Sequence, residues 1–265
     1  MYITKNIKGK LIIVVLSLVF VVAFAACGNE PTERGTIVMG TSADFPPFEF
    51  IAPDGQGIHG EFDGIDVAIA VRIAEALDMD LYIHDSQFAG LIMDLQARRI
   101  DFIAAGMTIN DERRESVNFS IPYFSAMQHI VVPNTDTTTH TVADLAGQIV
   151  GVQVGTTGDI FATYNLQDST IQAYMRATEA FMDLVGGRID AVLIDSAVAD
   201  LFVSQHVGQL RVVRDHNAFS NEEYGIAVHL EDLELLEQIN DVLSDMIANG
   251  EIAELFMHYS AMLQN

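Results

Sequence analysis

The sequence predicts an α/β fold made of two similar halves, and three observations lead there. From Thr36 onward, apolar runs of strand length alternate with amphipathic runs of helical length, the pattern that layers helices on a sheet. A stretch of the first half, MDLQARRIDFIAAG (Met93 to Gly106), returns without a gap as MDLVGGRIDAVLID (Met182 to Asp195), sharing Met, Asp, Leu, Arg, Ile and Asp. Chance likeness between leucine-rich helices that lead into apolar strands is the competing explanation. If the echo is real, Gly106 and Asp195 fall at corresponding carboxyl ends of strands, where open α/β sheets bind ligands.

The first element along the chain is a leader. Lys5, Lys8 and Lys10 precede an apolar run from Leu11 to Phe24, broken only by Ser17, and Ala25 and Ala26 stand before Cys27. This is the pattern of an export signal over residues 1–26. At 14 residues the run is too short for a spanning helix, which takes about 20. Cys27 is the only cysteine, so no intramolecular disulfide is available. Its place after small residues resembles the lipobox of bacterial lipoproteins, with Phe24 where leucine is usual, which implies a lipid on Cys27 and a tether over residues 27–35.

Lys5, Lys8 and Lys10 are the only lysines in the chain, so their removal with the leader would take the formal charge from −24 to −27. Such a chain repels nucleic acid and anionic membrane surfaces, leaving the lipid as its route to the membrane. It is expected to be a monomer.

The remaining elements follow in order. TIVMGT reads as a strand, and GIDVAIAVRIAEAL as a helix whose Ile65, Ile69, Ile73 and Leu77 recur on one face. A strand at LYIH, a helix around GLIMDLQAR and a strand at IDFIAAG complete the first half. In the second half come IVGVQV, a helix after GTTGD, a strand at IQAYM, a helix through TEAFMDLVGG, a strand at IDAVLID and a helix at SAVADLFVSQ.

Between these halves, AGMTINDERRESVNFSIPY (Ala105 to Tyr123) passes abruptly from apolar to charged residues. Thr108 and Asp111 have the spacing of a capping box, which predicts a helix whose first N–H groups and positive dipole end lie where a strand stops. Arg113 then falls in the first turn, and a guanidinium can hold a carboxylate by two parallel bonds. Arg114 reads as a solvated neighbour.

GTSADFPPFEF, FAGLIMDLQARRIDFIAAGMTINDERR, GVQVGTTGD, AVLID and EEYGIAV occur in that order. Together they resemble the bacterial extracellular solute-binding proteins of family 3, which deliver polar amino acids to ABC transporter permeases. The likeness runs from about Thr36 to the last helices. It implies a periplasmic-binding-protein type II fold, with two lobes that close on a ligand in the cleft between them. Lobe one would span residues 36–123 and 224–265 and lobe two residues 128–218, with hinge crossings at 124–127 and 219–223.

The resemblance further implies that Arg113 clamps the ligand's α-carboxylate with help from Thr108, Thr156 and Thr157. Asp195 and the Gly106 carbonyl would take the α-ammonium, Phe45 and Phe88 would wall the aliphatic stem, and Ser42 and Gln153 would sense the side chain. Many relatives carry Asp where Ser42 stands. Asp44 and Glu49, in the same loop, either compensate or point to solvent. A second carboxylate on the ligand would need a second cation, and Arg113 is the only basic residue these motifs bring to the cleft, so a neutral polar or cationic side chain fits better. Between glutamine and arginine the residues leave the choice open.

An enzyme is the rival class, because cyclohexadienyl dehydratases and some cell-wall lyases use a similar pair of lobes. The residues above form a static zwitterion clamp with no acid or base aimed at a reacting group, so no catalytic residue is expected. The histidines lack metal spacing, and the Gly155 to Gly158 turn lacks the lysine of a phosphate loop, so neither a metal nor a cofactor is expected. A receptor's sensory domain is the third class; with no second apolar span before Asn265, a free-standing binder is the expectation.

Overall fold

A computed structural model describes residues 34–264; the predicted leader, Cys27 and most of the tether lie outside them. Strands come in chain order as β1 (Thr36–Thr41), β2 (Asp44–Phe45), β3 (Glu49–Ile51), β4 (Phe62–Asp63), β5 (Asp80–Asp85), β6 (Phe102–Ile103), β7 (Asn118–Phe119) and β8 (Phe124–Ala126). They continue as β9 (Gln128–Pro133), β10 (Ile149–Gln153), β11 (Thr170–Tyr174), β12 (Ala191–Asp195), β13 (Leu210–Val213), β14 (Glu222–Tyr224) and β15 (Ala227–Val228). The helices are α1 (Ile65–Ala76), α2 (Leu91–Gln96), α3 (Asp111–Arg114), α4 (Thr157–Asn165), α5 (Ala177–Val185), α6 (Ser196–Gln205), α7 (Leu233–Ala248) and α8 (Glu251–Leu263).

Two five-stranded sheets carry the two lobes, in the orders β5-β1-β6-β15-β7 and β11-β10-β12-β9-β13. In each, the second strand runs parallel to the first and third, and the last two strands are antiparallel to their neighbours. The echo in the sequence is therefore an echo in space, since β6 and β12 hold the same central place. Its residues do the same work in both copies. Asp101 Oδ2 accepts from Val38 N–H on β1 at 2.7 Å, and Asp190 Oδ2 from Ile149 N–H on β10 at 2.8 Å. Arg99 pairs with Asp94 as Arg188 pairs with Asp183. The turn between helix and strand is left-handed in both, at Arg98 (φ 58°) and Gly187 (φ 67°).

The predicted apolar face of α1 is buried, with Ile65, Ile69 and Ile73 at the core; full burial of such side chains is worth about 1.5–3 kcal/mol each. The predicted strand IDFIAAG is shorter than expected: only Phe102–Ile103 pair as β6, and the chain then leaves the sheet toward Gly106 at φ 52°. The two sheets are joined by two crossing strands, β8 and β14, which pair antiparallel with Phe124 opposite Tyr224. Tyr224 is fully buried and packs edge-on against Phe48 (centroids 5.1 Å apart), so the crossing is anchored in the first lobe's core. No helix among the described residues is long and apolar enough to cross a membrane.

Candidate functional site

A small cavity opens between the two sheets. Ser42, Phe45, Phe88, Gly106, Thr108 and Arg113 reach it from the first lobe, and Gln153, Thr156, Thr157 and Asp195 from the second. The ten residues assigned to the solute from the sequence thus line one place, together with Glu49 and Ala105.

Arg113 reaches the cavity differently from the expectation. Thr108 does not cap the short helix α3. Asn110 does, its side-chain oxygen accepting from Arg113 N–H at 2.8 Å. Thr108 is unavailable because its backbone is extended and bridged to Tyr224, and its hydroxyl is spent on Glu222 at 3.0 Å. Four residues of helix also carry little dipole, so the positive charge here is the guanidinium itself. Arg113 is only 7% exposed. Its Nη1 donates to the Thr108 carbonyl at 2.6 Å and its Nη2 to the Gly155 carbonyl at 3.1 Å, across the cleft. It lies 5.3 Å from the Phe88 ring centre. Burial pulls its pKa below the ordinary value, with Asp195 and then Glu222 opposing, and an arginine under those conditions stays charged.

The acceptor side is built by backbone strain and buried acids. Gly106 combines φ 52° with a Phe45 ring that a Cβ would meet at 3.0 Å, so glycine is required there. Its N–H donates to Asp66 Oδ2 at 2.7 Å, and the Tyr123 hydroxyl donates to the same oxygen at 2.8 Å. Asp195 stands at the N-cap position of α6 but makes no side-chain cap bond. Its Oδ1 instead accepts from Gln128 Nε2 at 2.8 Å. Burial, then the charge of Glu222, pushes the Asp195 carboxyl up to about 8. Thr156 caps α4, accepting from Asp159 N–H at 3.2 Å and presenting the start of that helix to the cavity.

Glu49 carries more weight than the sequence suggested. It is 1% exposed, and no N–H or hydroxyl among the described residues donates to its Oε2 or to Asp66 Oδ1; the two acids instead face each other, so that a proton on Glu49 is shared with Asp66. Burial first, then the charges of Asp66 and Asp44, hold the Glu49 carboxyl well above its usual range, and burial raises Asp66 to about 6. Asp44 does not line the cavity; it accepts from the Ser42 hydroxyl at 3.0 Å and lies 3.6 Å from Arg176. Arg176, from the second lobe, also grips Asp85 of the first through both its terminal nitrogens, at 3.1 and 2.9 Å. Sequence reasoning missed Asp66, Gln128, Arg176 and Glu222. Only Asp66 carried a signal, as an acid among the apolar residues that open its helix. Among the described residues, no cluster of His, Cys, Asp and Glu could hold a metal ion.

A two-lobed α/β protein with a buried cation, buried acids and a cavity between its lobes is a receptor for a small polar solute. The chain belongs to the bacterial extracellular solute-binding proteins, family 3, whose model matches residues 37–262. That family is one of binding proteins, not of enzymes. The chain is 31% identical over 254 residues to the L-cystine-binding protein TcyJ of Escherichia coli, covering 95% of this chain and 93% of that one. It is 34% identical over 248 residues to an L-arginine-binding protein of Pseudomonas aeruginosa, covering 91% of each. A solved structure of arginine-bound ArgBP from T. maritima, a Gly52Ala mutant, superposes with a TM-score of 0.74 at 43% identity over 80% of this chain and 96% of that one.

Proposed function

We propose that this protein captures a basic L-amino acid of the arginine class outside the cytoplasm and delivers it to an ABC transporter permease. The observation that carries the choice of side chain is Glu49, a buried acid on the cavity wall to whose Oε2 no N–H or hydroxyl among the described residues donates. A zwitterion needs one cation and one anion, supplied by Arg113 and Asp195. Glu49 is an acid beyond that need, and a buried acid that lacks N–H or hydroxyl donors is stabilised in its charged form by a cation brought to it. The arginine-binding names of the relatives lend weight to the same choice. Glutamine, whose amide would offer Glu49 a neutral donor, is the second reading.

Closure follows from the placement of the contacts. A solute held by Arg113 and Gly106 from one lobe and by Thr156, Thr157 and Asp195 from the other binds the closed form better, and that difference shifts the population. The reading puts the lobes at residues 36–123 with 224–265 and at 128–218, hinged at 124–127 and 219–223, and the pairing of β8 with β14 supports it. Small-angle scattering and melting curves with the common L-amino acids test the whole proposal. L-arginine should compact the protein and raise its melting temperature more than L-glutamine, while arginine amide should do neither. A stronger response to glutamine would overturn the choice of side chain, and no response to any amino acid would overturn the function.

The reading of Cys27 as a lipid anchor for a monomeric receptor belongs to the same proposal. Its basis is the leader pattern ending in Ala25, Ala26 and Cys27. Cys27→Ser should move the protein from the membrane fraction to the soluble one on fractionation of expressing cells, and an unchanged distribution would defeat the anchor.

A further inference from the structure

The zwitterion clamp leaves unexplained one charged group on the crossing strands. Glu222, on β14, is partly buried, and its single oxygen Oε2 accepts from the Thr157 hydroxyl at 2.7 Å and the Thr108 hydroxyl at 3.0 Å. Gln128 Nε2 reaches the same oxygen at 3.4 Å. Thr108 belongs to the first lobe and Thr157 to the second, so one carboxylate bridges the two where they approach. Both threonines border the solute cavity and also a neighbouring hollow, and Glu222 lies on the wall of that hollow alone. Its charge acts on Arg113 and, after burial, is the largest influence on Asp195.

A threonine hydroxyl has one proton to donate, and a carboxylate only accepts. While Thr108 and Thr157 donate to Glu222, neither can donate to a solute's carboxylate. A solute carboxylate beside Arg113 would also meet a like charge attracted to the same cation. We propose that Glu222 is an internal competitor for the solute's carboxylate, holding the Thr108 and Thr157 hydroxyls and the field of Arg113 until a solute takes them over. The inference rests on the amino-acid reading given above and goes beyond it: the affinity is set below what the cradle alone would give. It also supplies a reason for release, because the two hydroxyls have a partner waiting when the solute departs.

A plain structural clasp would make the opposite prediction, since removing it would loosen the closed form and weaken binding. Calorimetric titration of the full chain with L-arginine and L-glutamine separates the two. Glu222→Gln keeps the shape and removes the charge, and Glu222→Ala removes the acceptor altogether. Both should bind more tightly than the parent, by roughly three- to tenfold, the scale of one ordinary net hydrogen bond. Unliganded Glu222→Gln should also be less compact in small-angle scattering, because the bridge between the lobes is weakened. Equal or weaker binding by both variants, or loss of the fold in both, would make Glu222 a clasp and overturn the competitor. A parent that binds neither amino acid would overturn the function on which the inference rests, and the inference with it.

Discussion

Arg113→Ala is expected to abolish amino-acid binding while the protein still folds. Arg113 is buried, it is the only basic residue lining the cavity among the described residues, and its charge is the partner a solute carboxylate would need there. Truncating one member of a desolvated charge pair costs roughly 2–5 kcal/mol, which weakens binding by about 30-fold to several thousand-fold. The fold should survive because α3 is capped by Asn110 and not by the arginine side chain. Arg113→Lys should recover only part of the loss. A lysine can supply the charge but not the bonds to the Thr108 and Gly155 carbonyls together with a two-point grip on the solute. Calorimetric titration, with circular dichroism to check the fold, decides the matter. Parent-like affinity in Arg113→Ala would remove Arg113 from the site.

What was legible in the sequence was whatever local pattern encodes. The apolar period of α1, the echo of helix and strand, and the ordered motifs sufficed for the α/β class, the two lobes and the family. The echo was legible because the same task recurs: Asp101 and Asp190 each accept one N–H of a neighbouring strand, from Val38 on β1 and Ile149 on β10, and Arg99 and Arg188 each pair five residues back. The cap of α3 was misplaced because Thr108 and Asn110 are both good capping residues. Which one serves depends on a backbone bridge to Tyr224, far away in sequence. Gln128 and Glu222 were hidden for a similar reason, since only the crossing of β8 and β14 brings them beside Thr108 and Thr157. Glu49 was visible as a residue but not as a buried one. An acid two residues after Pro47 reads equally well as solvated, and its burial depends on packing around α1 and on Asp66.

That burial makes Glu49→Gln the sharpest test of the solute's side chain, because its effects on stability and on binding have opposite signs. In the empty protein, Glu49 is surrounded by Asp66, Asp44 and Asp195 and holds its proton well above the ordinary carboxyl pKa of 4.5. The native chain therefore carries a proton that the unfolded chain has already released, and stability falls as pH rises from that ordinary value toward the raised one. Glutamine has no charge to bury and offers two N–H donors where Asp66 Oδ1 lacks one. The unliganded variant should melt at least as high as the parent and lose less stability between mildly acidic and mildly alkaline pH. Binding should move the other way for a cation. L-arginine, deprived of the carboxylate that its guanidinium would meet, should bind roughly 10- to 150-fold more weakly, the usual worth of about 1.5–3 kcal/mol for a hydrogen bond to a charged group. L-glutamine should lose much less, since its amide can pair with another amide. Melting curves across pH and titrations with the two amino acids measure both sides. If arginine bound the variant as tightly as the parent, Glu49 would have no part in recognising the solute, and the basic-amino-acid reading would lose its main support.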